Sequence, residues 1–94
     1  MLPGLRITNV RFTSASEADL LSGLLGFATC VINKFLVLDG IAVRQTQDGH
    51  LALSFPAQRD KNGHQRFPVR PIDDRARRAF ERQVLGALDL DSSR

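Results

Sequence analysis

Apolar and polar positions follow different patterns in different parts of the chain, and each pattern predicts a different element. Leu5 to Phe12 carries Ile7, Thr8, Val10 and Phe12, the β-branched and aromatic residues that suit a strand. Its alternation slips between Ile7 and Val10, which places a bulge near Asn9. Thr13 to Asp19 is polar and loop-like. Ser16, with Asp19 three residues on and Leu20, Leu21, Leu24 and Leu25 following, offers a capped short helix as the alternative. Gly23 and Gly26 weigh against that helix, each costing about 1 kcal/mol relative to Ala. The favoured reading is a strand from about Gly23 to Ile32, apolar on both faces and therefore central. Asn33-Lys34 turns the chain into a second strand from Phe35 to Arg44, bulged or kinked at Asp39-Gly40. Asp48-Gly49 is a strong hairpin signal. Beyond it Leu51, Leu53 and Phe55 alternate with Ala52 and Ser54, giving a strand with one buried face that Pro56 ends. Asn62-Gly63 predicts another hairpin-type turn leading into Gln65 to Val69. Pro68 and Pro71 cannot donate to a ladder, so this segment belongs at a sheet edge or outside the sheet.

From Asp73 the period changes from two to 3.6. Asp73 or Asp74 can cap a helix at its positive end, and Ala76, Ala79, Phe80, Val84, Ala87 and Leu88 form its apolar stripe. The whole reads as an α+β fold: an antiparallel β-sheet meander with a C-terminal α-helix. One domain spans residues 1–94, with an ordered core at about 5–88 and a fraying acidic tail at 89–94. No internal repeat or low-complexity segment interrupts it.

A chain of 94 residues has a thin core, burying roughly 60–65% of the surface its unfolded form exposes. One sheet with one helix leaves apolar surface wet, which predicts a symmetric homodimer. The single cysteine, Cys30, forms no internal disulfide and reads as a small buried core residue. The longest apolar run, Leu24 to Ile32, is about half of the ~20 residues that span a bilayer. The N-terminus has no basic region ahead of an apolar core, unlike a signal peptide. The expectation is a cytoplasmic protein without membrane contact.

Charge changes the picture more than composition does. The formal net charge is +3, but its layout is uneven. Met1 to Pro56 holds four basic and four acidic residues, whereas Ala57 to Arg82 holds eight basic against four acidic. Seven of those eight are Arg, whose guanidinium fork suits phosphates and base edges. Such a basic third is the electrostatic footprint of an anionic-polymer partner, or else a solvated surface that keeps the protein soluble. Catalytic chemistry is poorly supplied. His50 and His64 lie in separate turns, no Cys-x-x-Cys or His-x-x-x-His pairing exists, and the glycines form no phosphate cradle. The expectation is no enzyme, no metal, no cofactor and no small-molecule substrate.

Pro56-Ala57-Gln58-Arg59, then Gly63, Arg66 and Pro71-Ile72, resemble the bacterial SpoVG septation-protein family. That family's signature is Pro-Ser-Lys-Arg, a turn ending in Gly, an Arg three residues later, and His-Pro-Ile. Ile7 to Phe12 is similar to its opening strand, and Phe35-Leu36-Val37-Leu38-Asp39 to its central Phe-x-x-x-Asp. The resemblance covers about Leu5 to Leu88. It implies a small dimer with an antiparallel sheet and a C-terminal helix. It also implies a DNA- and RNA-binding regulator associated with septation and sporulation. Gln58 replaces the family's Lys and Arg70 its His, which removes one phosphate contact and adds another. The segment between Asp39 and Pro56 exceeds the family spacing by two residues, which lengthens a hairpin.

The nucleic-acid reading names Arg59, Lys61, Arg66, Arg70, Arg75, Arg78 and Arg82 as contacts. Arg59 and Arg66 bracket the Asn62-Gly63 turn, while Arg75, Arg78 and Arg82 share one helix face. The competing reading of Arg59 and Arg66 pairs them with Asp60, Asp73 or Asp74 and makes them loop fasteners. Phe67 is the one aromatic residue among these arginines, a weak basis for a single-strand stacking platform. A second functional class is a non-catalytic component of the division apparatus, binding proteins through its helix or the edge implied by Pro68 and Pro71.

Overall fold

The computed structural model describes residues 4–88, so the expected fraying of the acidic tail lies outside the described residues. Four strands, β1 (Ile7–Ser14), β2 (Leu24–Ile32), β3 (Leu36–Gln45) and β4 (Leu51–Ser54), form an antiparallel meander in the order β1-β2-β3-β4. A two-stranded hairpin follows, β5 (Gln58–Arg59) with β6 (Gln65–Arg66), and the C-terminal helix α2 (Asp74–Leu88) completes the α+β fold. The two bulges expected from the sequence are both present. Thr8 pairs with Val31 and Arg11 with Thr29, leaving Asn9 and Val10 opposite Cys30, with Asn9 at φ 51°. The second leaves Asp39-Gly40 opposite Thr29, between the pairs Ala28–Ile41 and Cys30–Leu38, where Gly40 has φ 75°.

One local reading is corrected. The short helix that the glycines weighed against does form, as α1 (Glu17–Leu21). Ser16 caps it: the Ser16 hydroxyl accepts from the Asp19 N–H at 3.2 Å. Gly23 stops this helix instead of interrupting it. Gly23 sits just beyond the C-cap at φ 94°, a left-handed position that favours Gly. Gly26 lies in β2, where an added Cβ would collide with the Thr13 carbonyl and the Phe12 ring. Both strand and helix therefore occupy a stretch that the sequence reading gave to one or the other.

Helix α2 covers one face of the meander. Ala28, Cys30, Leu38, Ile41, Val43, Leu53 and Phe55 from the sheet meet Phe80, Val84 and Leu85 from the helix, with the Phe55 and Phe80 ring centroids 5.0 Å apart. Cys30 is fully buried, and burial pushes its thiol pKa up, as befits a packing residue. The buried face differs in part from the predicted stripe. Ala79, Phe80 and Val84 are buried, Ala76 and Leu88 are half-buried, Ala87 is exposed, and Leu85 is buried instead.

The helix also bonds one position on each free edge of the sheet. Gln83 accepts from the Ile7 N–H at 2.9 Å and donates to the Leu5 carbonyl at 3.0 Å, as a neighbouring strand would. On the other edge Glu81 accepts from the Leu53 N–H at 3.0 Å while Arg77 donates to the Leu53 carbonyl at 3.4 Å. At these positions the edge groups are occupied and cannot pair with another strand. Pro68 and Pro71 lie outside the meander, so they mark no exposed edge strand.

Candidate nucleic-acid interface

The basic third of the sequence folds into two unlike regions. In the hairpin, Asp60 is the organising residue. Its Oδ1 accepts from the Asn62 and His64 N–H groups, each at 2.9 Å, and its Oδ2 meets Arg66 Nε at 3.3 Å and His64 Nδ1 at 3.6 Å. These bonds hold the Asp60 carboxyl below the usual carboxylate range, the His64 backbone N–H contributing most. Gly63 turns the loop at φ 81°, and Arg59 donates to its carbonyl at 2.9 Å. Register pairs Gln58 with Arg66 and Arg59 with Gln65, so the two arginines project from opposite faces of the hairpin. Arg66 pairs with Asp60 as the loop-fastening reading expects, and Arg59 fastens the same loop through a carbonyl instead of a carboxylate. Lys61, at the turn, is exposed and has no side-chain partner among the described residues.

Helix α2 presents its arginines differently. Asp73 caps it, accepting from the Ala76 N–H at 2.8 Å. Arg75, Arg78 and Arg82 are exposed on one stripe and have no hydrogen bond or ion pair among the described residues. Arg77 stands apart from them, with Nη1 lying 3.7 Å from Glu81 and donating to β4. Arg70 sits between the regions: it donates to the Phe67 carbonyl at 3.1 Å and lines a cavity with Arg77 at the start of the helix. The structure thus joins Arg70 to the helix and leaves the hairpin as a separate unit. Phe67 and Arg77, which the sequence reading did not select, line that same cavity. Arg77 is four residues before Glu81 and off the exposed stripe, a spacing that marks an ion pair more readily than a site.

Among the described residues, no group of three or more His, Cys, Asp or Glu side chains is placed to hold a metal ion, and no helix is long and apolar enough to cross a membrane.

A four-stranded meander backed by a C-terminal helix with an arginine-lined outer stripe defines a small α+β domain with a basic, solvent-facing helix. The chain matches the SpoVG family model over residues 5–89 and belongs to that family. The family segment from Pro56 to Ile72 falls on the hairpin and on the linker into α2. A search of curated proteins gave no match.

Proposed function

We propose that this chain is a non-catalytic nucleic-acid-binding regulator, acting as a homodimer on DNA, RNA or both in the bacterial cytoplasm, in septation and sporulation control. The observation that carries the reading is the α2 stripe: three exposed guanidinium groups without partners among the described residues. Guanidinium groups that face water can take phosphates without first giving up an internal contact. Dimerisation is supported by the sheet face opposite α2. There Phe27 is 44% exposed and Val37 is 70% exposed, an apolar surface that association would cover. Two-fold symmetry then doubles the basic stripe.

Electrophoretic mobility shift at several salt concentrations tests the binding. The expected result is a complex that weakens steeply with salt; the absence of any complex at low salt overturns the reading. Unbiased selection from mixed DNA and RNA pools then identifies the target.

A division-apparatus component that binds proteins is the second reading, and one observation favours it. Phe35 at the β2–β3 turn is 89% exposed, next to exposed Leu36 and Val37. A specific protein partner in a pull-down that is lost with Phe35→Ser, without nucleic-acid binding, selects this alternative.

A further inference from the structure

A cavity of about 360 Å³ opens between the first turn of α2, the end of β4 and the linker from β6. That volume is at the lower end of small-molecule sites, which run from about 300 to 1,000 Å³, and suits one planar ring system. Three chemistries meet on its wall: the Phe67 ring, the guanidiniums of Arg70 and Arg77, and the carboxylates of Asp73 and Asp74. Leu53, Ser54 and Phe55, at and just beyond the end of β4, complete the lining.

Each group keeps capacity for a ligand. Phe67 is 39% exposed, so its ring has an open side. Arg70 uses Nη1 on the Phe67 carbonyl and Arg77 uses Nη1 on β4 and Glu81, and a guanidinium has donors beyond one nitrogen. Asp73 Oδ1 accepts from Ala76, which leaves Oδ2, and Asp74 has no side-chain hydrogen bond among the described residues. Pro68 and Pro71 restrict the linker, and the Arg70–Phe67 bond closes it into a turn.

The geometry points to a pocket for a single unstacked guanine of a single-stranded nucleic acid, an inference that rests on the nucleic-acid reading above. Guanine presents two adjacent donors, N1–H and N2–H, which a carboxylate accepts together. Its O6 and N7 acceptors suit a guanidinium. Adenine and cytosine place a ring acceptor beside their exocyclic amine, so a carboxylate gains one bond and meets one repulsion. A paired base is stacked inside its duplex and does not enter the pocket; an unpaired base enters and stacks on Phe67. The carboxylates repel phosphate, so the strand leaves over Arg70 toward the α2 stripe.

Fluorescence anisotropy of the full chain with a labelled thymidine strand, carrying one guanine, adenine or inosine at its centre, tests this. The guanine strand binds about ten-fold tighter than the adenine strand, with inosine, which lacks the N2 amine, between them. Phe67→Leu weakens the guanine strand by about ten-fold through lost stacking. Asp74→Asn lowers the ratio of guanine-strand to adenine-strand affinity from about ten to about one. Both side chains lie outside the core, and circular dichroism checks the fold of each variant. Equal affinity for all strands, unchanged by either substitution, overturns the pocket and leaves the nucleic-acid reading standing. No binding to any strand, single or double, overturns both. Displacement of the strand by an equal concentration of free guanosine monophosphate also overturns the strand assignment, in favour of a free nucleotide.

Discussion

The β5–β6 hairpin and helix α2 hold the same kind of residue in similar density, yet their arginines have different fates. Arg59 and Arg66 reach into their own loop, to the Gly63 carbonyl and the Asp60 carboxylate. Arg75, Arg78 and Arg82 face water from a helix whose other side is fixed in the core. The difference follows from the neighbouring backbone. A tight turn leaves carbonyls and an Asx acceptor within reach of a long side chain, whereas the middle of a helix has its carbonyls already bonded along the axis. An arginine cluster in sequence is thus a count of charges, and local structure decides how many of them are available to a partner.

The largest expected effect separates the two sides of α2. Phe80→Ala removes the ring that packs on Phe55 and should cost about 3–5 kcal/mol in urea denaturation. An unchanged midpoint would mean that the helix is not anchored through this core contact. Next is the edge bonding, which the hairpin lacks. Gln83→Ala frees the Leu5 carbonyl and Ile7 N–H on β1 and should cost about 1 kcal/mol. It should also speed amide exchange at Ile7, and unchanged exchange there would remove Gln83 from the account. Cys30→Ala, behind the helix, should lose about 1 kcal/mol through a small cavity and leave binding intact. Lost binding in a stably folded Cys30→Ala variant would instead indicate thiol chemistry.

The smallest effect belongs to the hairpin. Its Asp60 carboxyl titrates below the unfolded value, so its contribution is fully present above the ordinary carboxylate range and disappears as pH falls through the lowered pKa. Asp48, in the β3–β4 turn, behaves alike: the Thr46 hydroxyl and His50 lower it to about 2. Amide signals of residues 60–64 and 46–50 should lose dispersion at acid pH while the α2 signals persist. In the variant Asp60→Asn the pH dependence of the first loop should disappear, and its survival would assign the transition to another group.

Much of this contrast was legible in the sequence, and the missing parts have physical causes. The strands, the Asn9 and Asp39-Gly40 bulges and a helix cap at Asp73 or Asp74 follow from period, glycine placement and cap chemistry, all of which are local. The α1 helix is hard to read from sequence because a glycine two residues beyond a five-residue helix looks, in a window, like a glycine inside it. Leu85 replaced Ala87 in the core because the helix touches both sheet edges, a tertiary constraint that a single 3.6-residue stripe does not carry. For the site, the helix stripe was readable from spacing. The Asp60–Arg66 pair was foreseen only as a competing possibility. Phe67, Arg70, Arg77 and the end of β4 come together only through the path of a proline-containing linker, and nothing in their spacing places them around one cavity.

The proposed function takes its phosphate contacts from the exposed α2 stripe and not from Arg59 and Arg66 of the hairpin. The most direct test is the salt dependence of nucleic-acid affinity in Arg75→Ala/Arg78→Ala/Arg82→Ala, compared with Arg59→Ala/Arg66→Ala. The triple variant should stay folded, because Ala is a good helix former. It should bind more weakly, with the slope of log K against log salt flattened by roughly five for a dimer, at ~0.9 per contact. The hairpin pair should flatten that slope less than the triple variant does, since each of these guanidiniums already gives one nitrogen to its own loop. A folded triple variant with unchanged affinity and slope, beside a hairpin pair whose slope collapses, would contradict the account.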